Sequence, residues 1–154
     1  MDIDGLVTRV SKNNWADTAE RLLDAIRQLG IEPVARINQA AAAQKAGLSL
    51  LASEVIIFGN PAVGTYLMQS APTIALELPL KILVWQDESG TTNVSYNQPQ
   101  WLANRHGLRG HEERIRAISQ MMKDLAAIAV TSKLTDQENP DIATLPSSIN
   151  NKIQ

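Results

Sequence analysis

The sequence contains no cysteine among its 154 residues. This absence excludes disulfide bonds, thiol catalysis and thiolate metal sites, and it is typical of proteins from a reducing compartment. The basic residues form no run, and a net charge of −2 gives no general attraction to a polyanion. We therefore expect no nucleic acid among the partners of this protein.

Long hydrophobic runs are missing as well. Runs such as VIIF at 55–58 and LAAIAV at 125–130 are far shorter than the roughly 20 apolar residues that cross a bilayer. The N-terminal stretch MDIDGLVTRV has no apolar run followed by a small-residue cleavage site, so it does not have the pattern of a signal peptide. Together these features predict a cytoplasmic protein without a membrane partner.

The apolar content is sufficient for one ordinary core. Hydrophobic residues make up 44% of the chain, and its length is typical of a single globular domain. We predict one domain over residues 1–130. The remaining stretch, residues 131–154, is polar and contains Pro140 and Pro146, which predicts a mobile tail.

Local patterns predict strands and helices in mixed order. The β-branched stretch at 54–58 is typical of a buried central strand, and Pro33 should lie at the start or on the edge of its strand. Strands are predicted over 6–10, 31–37 and 54–58 and in a hairpin of KILVWQ and TTNVSYN; helices are predicted over 15–29, 39–46, 61–70, 99–105 and 111–129. This order indicates an α+β domain, in which helices pack on one face of a mostly antiparallel sheet.

Two longer stretches carry a family resemblance. FGNPAVGTYLMQSAPTIALELPLKILVW at 58–85, followed by SYNQPQWLANRHGL at 95–108, resembles the signature of the domain-of-unknown-function 302 family of bacteria and archaea. The resemblance covers about residues 16–108. It implies a TATA-binding-protein-like β-α-β(4)-α topology, and it implies a dimer, because members of the family are commonly dimeric.

One pair of residues departs from the family pattern. Members of the family often carry Asp-His after the second strand, where this chain has Asn38 and Gln39. An Asp-His pair can supply a base or a metal ligand, whereas amide side chains only donate and accept hydrogen bonds. This difference favours binding over acid–base catalysis at that position.

The turn at residues 59–65 is the first candidate site. Gly59, four residues and Gly-Thr imitate a nucleotide-binding loop, but the lysine of that loop is missing and Pro61 removes one N–H donor. A tight turn from strand to helix is therefore the favoured interpretation. A less demanding function is also possible for this turn. Its helix start can bind a carboxylate or a single phosphate, with Asn60, Pro61, Gly64 and Thr65 as the contacting residues.

Further polar candidates follow that turn. His106 lies at a predicted helix end and in the resembled RHGL motif, and Glu77 needs a partner such as Arg105, Arg36 or a helix N-terminus. Tyr96 and Asn97 are further candidate ligand contacts. The aromatic residues between 85 and 101 fit a ligand pocket, a dimer face or core packing equally well; they are Trp85, Tyr96 and Trp101.

Three functions are compatible with these residues. The leading hypothesis is a homodimeric module that binds a small ligand or a protein and has no catalytic residues. The alternative is an enzyme in which His106 and Glu77 act as an acid–base pair on a small anionic substrate. A metal or haem carrier using His106 and a methionine is the third, although the spacing of the two histidines predicts no metal site and the sequence names no cofactor.

Overall fold

The structure, a computed structural model, describes residues 2–132. Its five strands form one antiparallel sheet in the order β1-β5-β4-β3-β2. The strands are β1 (Leu6–Val10), β2 (Ala35–Asn38), β3 (Ser53–Phe58), β4 (Leu80–Gln86) and β5 (Thr92–Asn97). The helices are α1 (Trp15–Gln28), α2 (Gln39–Lys45), α3 (Pro61–Ser70), α4 (Pro99–Arg105) and α5 (Glu112–Val130), with a 3-10 helix at Pro72–Glu77.

These elements confirm the predicted α+β class with an antiparallel sheet. The TATA-binding-protein-like arrangement that the resemblance implies stays a prediction, as does the single domain over residues 1–130. Residues 133–154 of the predicted tail lie outside the described residues.

Helix α1 begins and packs as its sequence predicts. The side-chain oxygen of Asn14 accepts a hydrogen bond from the backbone N–H of Asp17 at 2.8 Å, which satisfies one of the free donors of the first turn. Leu22 and Ile26, one turn apart, are fully buried beneath the sheet. The amphipathic stripe thus fixes which face of α1 enters the core.

Helices α1 and α5 cover one face of the sheet. Alternate residues of the inner strands point toward them, because successive side chains of a strand project from opposite faces. The core between these helices and the sheet includes Leu22, Ile26, Ile56, Phe58, Ile82, Val84, Val94, Met122 and Leu125.

Two strand predictions differ from the structure. Residues 31–34 are not part of β2, since Pro33 has no N–H to donate to a ladder; only the backbone N–H of Val34 reaches the carbonyl of Ile57, at 2.8 Å. Strand β3 pairs with β2 on one side and β4 on the other, so it is an inner strand as predicted, but its residues alternate in burial and only one face is fully buried. Val55 and Ile57 on the outer face are half-buried, which explains why this strand has apolar residues on both faces.

The segment after β3 shapes the candidate site. Asn60 caps α3 by accepting the N–H of Ala62 at 3.0 Å, and Pro61 occupies the first helical position. The 3-10 helix follows, then a cis peptide bond between Leu78 and Pro79, and then β4. The helix predicted over 61–70 is therefore present with these bounds.

Candidate functional site

A cavity of about 250 Å³ lies between α3, the segment Leu78–Leu80 and α5. Almost all of its wall is hydrocarbon, and the amide of Asn60 is the one polar side chain that lines it. The lining residues are Ile31, Val34, Gly59, Asn60, Pro61, Val63, Gly64, Leu67, Met68, Leu78, Pro79, Leu80, Ile118 and Met121.

One face of α3 and one face of α5 form two walls of this cavity. Gly64 and Met68 are one turn apart on α3, and Ile118 and Met121 are three residues apart on α5, so each pair lies on one face of its helix. The third wall comes from the chain around Pro79. The cavity therefore depends on the position of α5 relative to α3 and Pro79, which both lie more than 30 residues before Ile118 in the sequence.

Gly64 sets the width of the cavity on the α3 side. A Cβ atom built at Gly64 would lie 3.5 Å from Cδ1 of Leu78 and 3.8 Å from Cε of Met68. Both distances are ordinary van der Waals contacts, so alanine fits here while a longer side chain would extend among the lining residues. The glycine leaves this volume open.

The backbone N–H groups at the start of α3 are occupied by hydrogen bonds within the turn. Asn60 accepts from Ala62 through its side chain and from the N–H groups of Val63 and Gly64 through its carbonyl, both at 3.1 Å. The hydroxyl of Thr65 donates to the carbonyl of Pro61 at 2.6 Å. These internal bonds favour an apolar ligand over the carboxylate or phosphate considered from the sequence.

Thr65 belongs to a different surface from the cavity. Together with Pro61, Ala62, Tyr66 and Gln69 it lines a shallow groove on the outer side of α3. Of the four candidate residues in this turn, the structure thus brings Asn60, Pro61 and Gly64 to the cavity and leaves Thr65 outside it.

His106 and Glu77 form a polar pair beside the cavity wall. Nε2 of His106 lies 2.9 Å from Oε1 of Glu77, and Nε of Arg105 lies 3.6 Å from the same oxygen. The side chains of His106 and Glu77 are 7% and 22% exposed, respectively. Of the two arginines considered as partners for Glu77, Arg105 is the one in contact with it, and His106 caps α4 as its position predicts.

The contacts of His106 fix the roles of its ring nitrogens. An ionised Glu77 only accepts hydrogen bonds, so Nε2 carries the proton and a neutral ring has Nδ1 as an acceptor. The Thr73 hydroxyl, 2.9 Å from Nδ1, then donates to it. This order of hydroxyl, imidazole and carboxylate is the order in which a histidine acts as a base.

His111 has the opposite arrangement. Arg114 is a donor only, and its Nη1 lies 3.3 Å from Nδ1 of His111, so the neutral ring carries its proton on Nε2. That nitrogen donates to the hydroxyl of Ser70 at 2.6 Å. His111 therefore does not serve as a base toward Ser70.

Tyr96 and Asn97 lie away from the cavity. Tyr96 is buried in the core on β5, and burial raises the pKa of its hydroxyl, with Arg9 opposing and Asp124 adding to the effect. Asn97 is exposed at the end of β5, opposite Leu6. The candidate site residues thus divide into a cavity group, a His106–Glu77 pair and two residues on β5.

Most residues of the cavity wall carry no functional signal in the sequence. Met68 and Met121 have the spacing of core residues, and in the structure they also line the cavity. Trp85 and Trp101 do not line it: the indole N–H of Trp85 donates to Ser95, and that of Trp101 donates to Asp4. Of the candidate site residues named from the sequence, Asn60, Pro61 and Gly64 are the ones that lie in this wall.

The chain is similar to one known family and to several named proteins. The family described as domain of unknown function DUF302 matches residues 7–128. The chain is 45% identical over 104 residues to the fluoride-specific ion channel FluC 1 of Brucella suis biovar 1. It has the same identity over the same length to two further fluoride-specific ion channels, FluC 1 of Brucella abortus biovar 1 and FluC 2 of Brucella melitensis biotype 1. The match covers 68% of this chain but only 38 to 41% of the relatives. Within residues 2–132 we find no helix with the length and apolarity needed to span a membrane.

One solved structure has the same fold. The crystal structure of an uncharacterized conserved DUF302 protein from Bacillus stearothermophilus aligns with a TM-score of 0.73. The alignment covers 84% of this chain and 100% of that one at 18% sequence identity. At this identity the likeness establishes the fold alone.

Proposed function

Because this chain belongs to the DUF302 family, we propose its function from the geometry of the family fold: it is a small homodimeric module that binds an apolar ligand and does not catalyse a reaction. The observation that carries the proposal is the cavity of about 250 Å³ between α3 and α5. Asn60, Pro61 and Gly64 are the sequence-predicted residues that would contact the ligand.

The size and chemistry of the cavity define the ligand class. An apolar cavity of about 150 Å³ stays free of water and binds benzene, so this larger one has room for a bicyclic ring or a chain of about eight carbons. Its hydrocarbon wall offers such a molecule burial from water, and each buried CH₂ group contributes about 0.8 kcal/mol. A charged group inside would lose its hydration without a partner.

The absence of catalysis is proposed from the placement of the titratable residues. His106 and Glu77 are held to each other and do not line the cavity. A ligand among Leu67, Met68 and Met121 would face hydrocarbon, which neither donates nor removes a proton.

Native mass spectrometry of the gently purified protein tests this proposal. We expect a small neutral mass that is lost on denaturation. In Gly64→Leu the added side chain occupies the cavity, so the bound mass should disappear, whereas Ala62→Leu on the exposed side of the same helix should keep it. Equal retention by both variants would place the ligand elsewhere.

The Thr73–His106–Glu77 contacts favour one alternative function, an enzyme. His106 Nδ1 would remove the proton from a hydroxyl or a water molecule, and Glu77 would stabilise the protonated ring at Nε2. The substrate would then bind at the exposed hydroxyl of Thr73 and not in the cavity.

Hydrolysis of p-nitrophenyl acetate separates the two functions. The enzyme alternative predicts hydrolysis that His106→Gln abolishes and His111→Gln leaves unchanged, since only His106 is arranged as a base. The binding module predicts the same slow background rate for all three proteins. We favour the second outcome because the His106 side chain is only 7% exposed.

We propose that the part of the Brucella channels that matches this chain is the same binding module. The match covers about two fifths of those channels, and the family covers residues 7–128 of this chain. Fluoride itself should therefore not be the ligand of the apolar cavity. Addition of sodium fluoride should leave the methyl NMR signals of Met68 and Met121 unchanged, while a saturable shift would assign fluoride to this module.

A further inference from the structure

The connection between β2 and β3 has an unusual surface. It consists of α2 and the loop 46–52, and we refer to residues 39–52 as the α2 connection. None of the seven residues of α2 is buried. Leu48, Leu50 and Leu51, which follow it, are 67%, 53% and 50% exposed. Three large apolar side chains in four positions are thus open to solvent.

Charge is nearly absent from the same surface. Charged residues make up 19% of the chain, so the stretch 37–53 would hold about three at the average frequency. It holds one, Lys45. Ile37 on the neighbouring strand β2 adds a further apolar side chain that is 44% exposed. Depletion of charge with exposed leucine and isoleucine distinguishes a contact surface from an ordinary solvated one.

We propose that the α2 connection is the surface through which two copies of this chain associate. A surface that carries a single charge, Lys45, suits a partner surface that is equally poor in charge, and in a two-fold dimer each copy presents the same patch to the other. The alanine side chains of α2 are small, so two such helices can approach closely. This inference rests on the homodimer in the proposed function and is independent of the ligand.

The area available is compatible with a dimer. The four exposed side chains offer on the order of 400 Å² of apolar surface, about half of the roughly 800 Å² per partner that a stable interface buries. The exposed residues of α2 and the outer edge of β2, an edge strand of the sheet, lie beside them. Together they extend the same surface beyond the four side chains.

The chemistry disfavours a lipid bilayer as the occupant. Helices that lie on membranes combine an apolar face containing tryptophan or phenylalanine with a face rich in lysine and arginine. The α2 connection contains no aromatic residue and a single lysine, Lys45. A second copy of the chain is therefore the better partner for it.

The proposed interface and the cavity lie at opposite ends of β3. The α2 connection leads into Ser53 at the start of this strand, whereas Gly59 and Asn60 at the cavity follow its last residue, Phe58. Association through the connection therefore leaves the cavity open. Changes at the two places should have separate effects.

Analytical ultracentrifugation of the full chain tests the interface. We expect the wild type to be a dimer, and the triple variant L48S/L50S/L51S to be a monomer with a dissociation constant raised at least tenfold. Leu76→Ser is the matched control, since Leu76 is 78% exposed but lies outside the connection. It should stay dimeric, and so should Gly64→Leu, which separates a failed interface from a failed ligand site.

Cross-linking covers the case in which the triple variant does not fold. Because the chain has no cysteine, Leu48→Cys and Leu50→Cys each introduce a unique thiol that a short bis-maleimide should join between copies. Leu76→Cys should give no cross-linked dimer. A monomeric wild type at 100 µM, a dimer in the triple variant or cross-links only at position 76 would overturn the proposal. A monomeric wild type that sediments with phosphatidylglycerol vesicles would overturn it in favour of a membrane surface.

Discussion

His106 and Glu77, 29 residues apart in sequence, are joined by a 2.9 Å contact between Nε2 and Oε1. This contact connects the end of α4 to the end of the 3-10 helix, directly before Leu78 and Pro79 enter the cavity wall. The pair therefore holds the end of the 3-10 helix, and with it the cavity wall at Leu78, against α4, whether or not it has a chemical role.

Replacing His106 should lower stability more than replacing the other histidine. We expect His106→Gln to lower the free energy of unfolding by about 1 to 2 kcal/mol, because a mostly buried hydrogen-bonding group loses its arranged partners. His111→Gln, whose contact with Ser70 is exposed, should cost less than about 0.5 kcal/mol. Urea denaturation monitored by circular dichroism measures both values. Equal losses would show that the pair with Glu77 adds nothing.

The stability of the fold should depend on Arg36, because it is the cation that pairs with the buried carboxylate of Glu54. The Glu54 side chain is 2% exposed, and Arg36 contacts both of its oxygens while reaching Glu20 of α1 at 2.8 Å. Arg36→Met leaves the carboxylate buried without its cation, and we expect a loss of about 3 kcal/mol in the free energy of unfolding.

The double variant R36M/E54Q is the control for this pair. Removing the charge of Glu54 as well should recover part of the loss, since a neutral amide costs less to bury than an unpaired carboxylate. A double variant as unstable as the sum of the two single variants would argue against coupling between them.

Gly5 should tolerate no side chain. Its φ is +75°, and a Cβ atom would lie 2.2 Å from the ring of Trp101. Gly47 has nearly the same φ, +76°, but a Cβ atom there would have nothing within 4 Å. A substitution at Gly47 therefore measures the cost of the backbone conformation without a steric clash. We expect Gly47→Ala to lower the free energy of unfolding by about 1 kcal/mol and Gly5→Ala by more than about 3 kcal/mol. In a Trp101→Ala background the cost at Gly5 should fall to the value at Gly47, and an unchanged cost would contradict the steric explanation.

Tyr96 should make stability depend on pH in the alkaline range. Burial raises the pKa of Tyr96 above the ordinary tyrosine value of 10.0, so the unfolded chain loses this proton first. The contribution of Tyr96 is therefore complete below pH 10 and is lost as the pH rises through the folded pKa. Between pH 9 and 11, Tyr96→Phe should lose less stability than the wild type in urea denaturation. Parallel curves for the two proteins would exclude this linkage.

The local elements were predictable because their signals are local. Asn14 and Asn60 each precede a helix that they cap, and the hairpin of β4 and β5 carries Gly90 in its turn, where φ is +83°. The need of Glu77 for a cation also followed from the sequence, because a carboxylate among leucines requires one. Each of these features depends on a few neighbouring residues.

The cavity and the partner of Arg36 were not predictable in this way. Met68 and Met121 have core spacing, and only the folded positions of α3 and α5 leave a cavity between them. Arg36 was a possible partner for Glu77, but the pairing of β2 with β3 places it beside Glu54. Both features depend on contacts between distant segments, which periodicity does not specify.

The central claim is that the cavity takes an apolar ligand, and the methyl groups of methionine test it most directly. Of the four methionines, Met68 and Met121 line the cavity, whereas Met122 is buried in the core beside them and does not line it. Titration of [¹³C-methyl]methionine-labelled protein with 1-octanol should shift the signals of Met68 and Met121 saturably and leave those of Met1 and Met122 in place. Gly64→Leu should abolish the shifts, and Ala62→Leu should preserve them. The absence of saturable shifts, or equal shifts of all four signals, would contradict an apolar binding site.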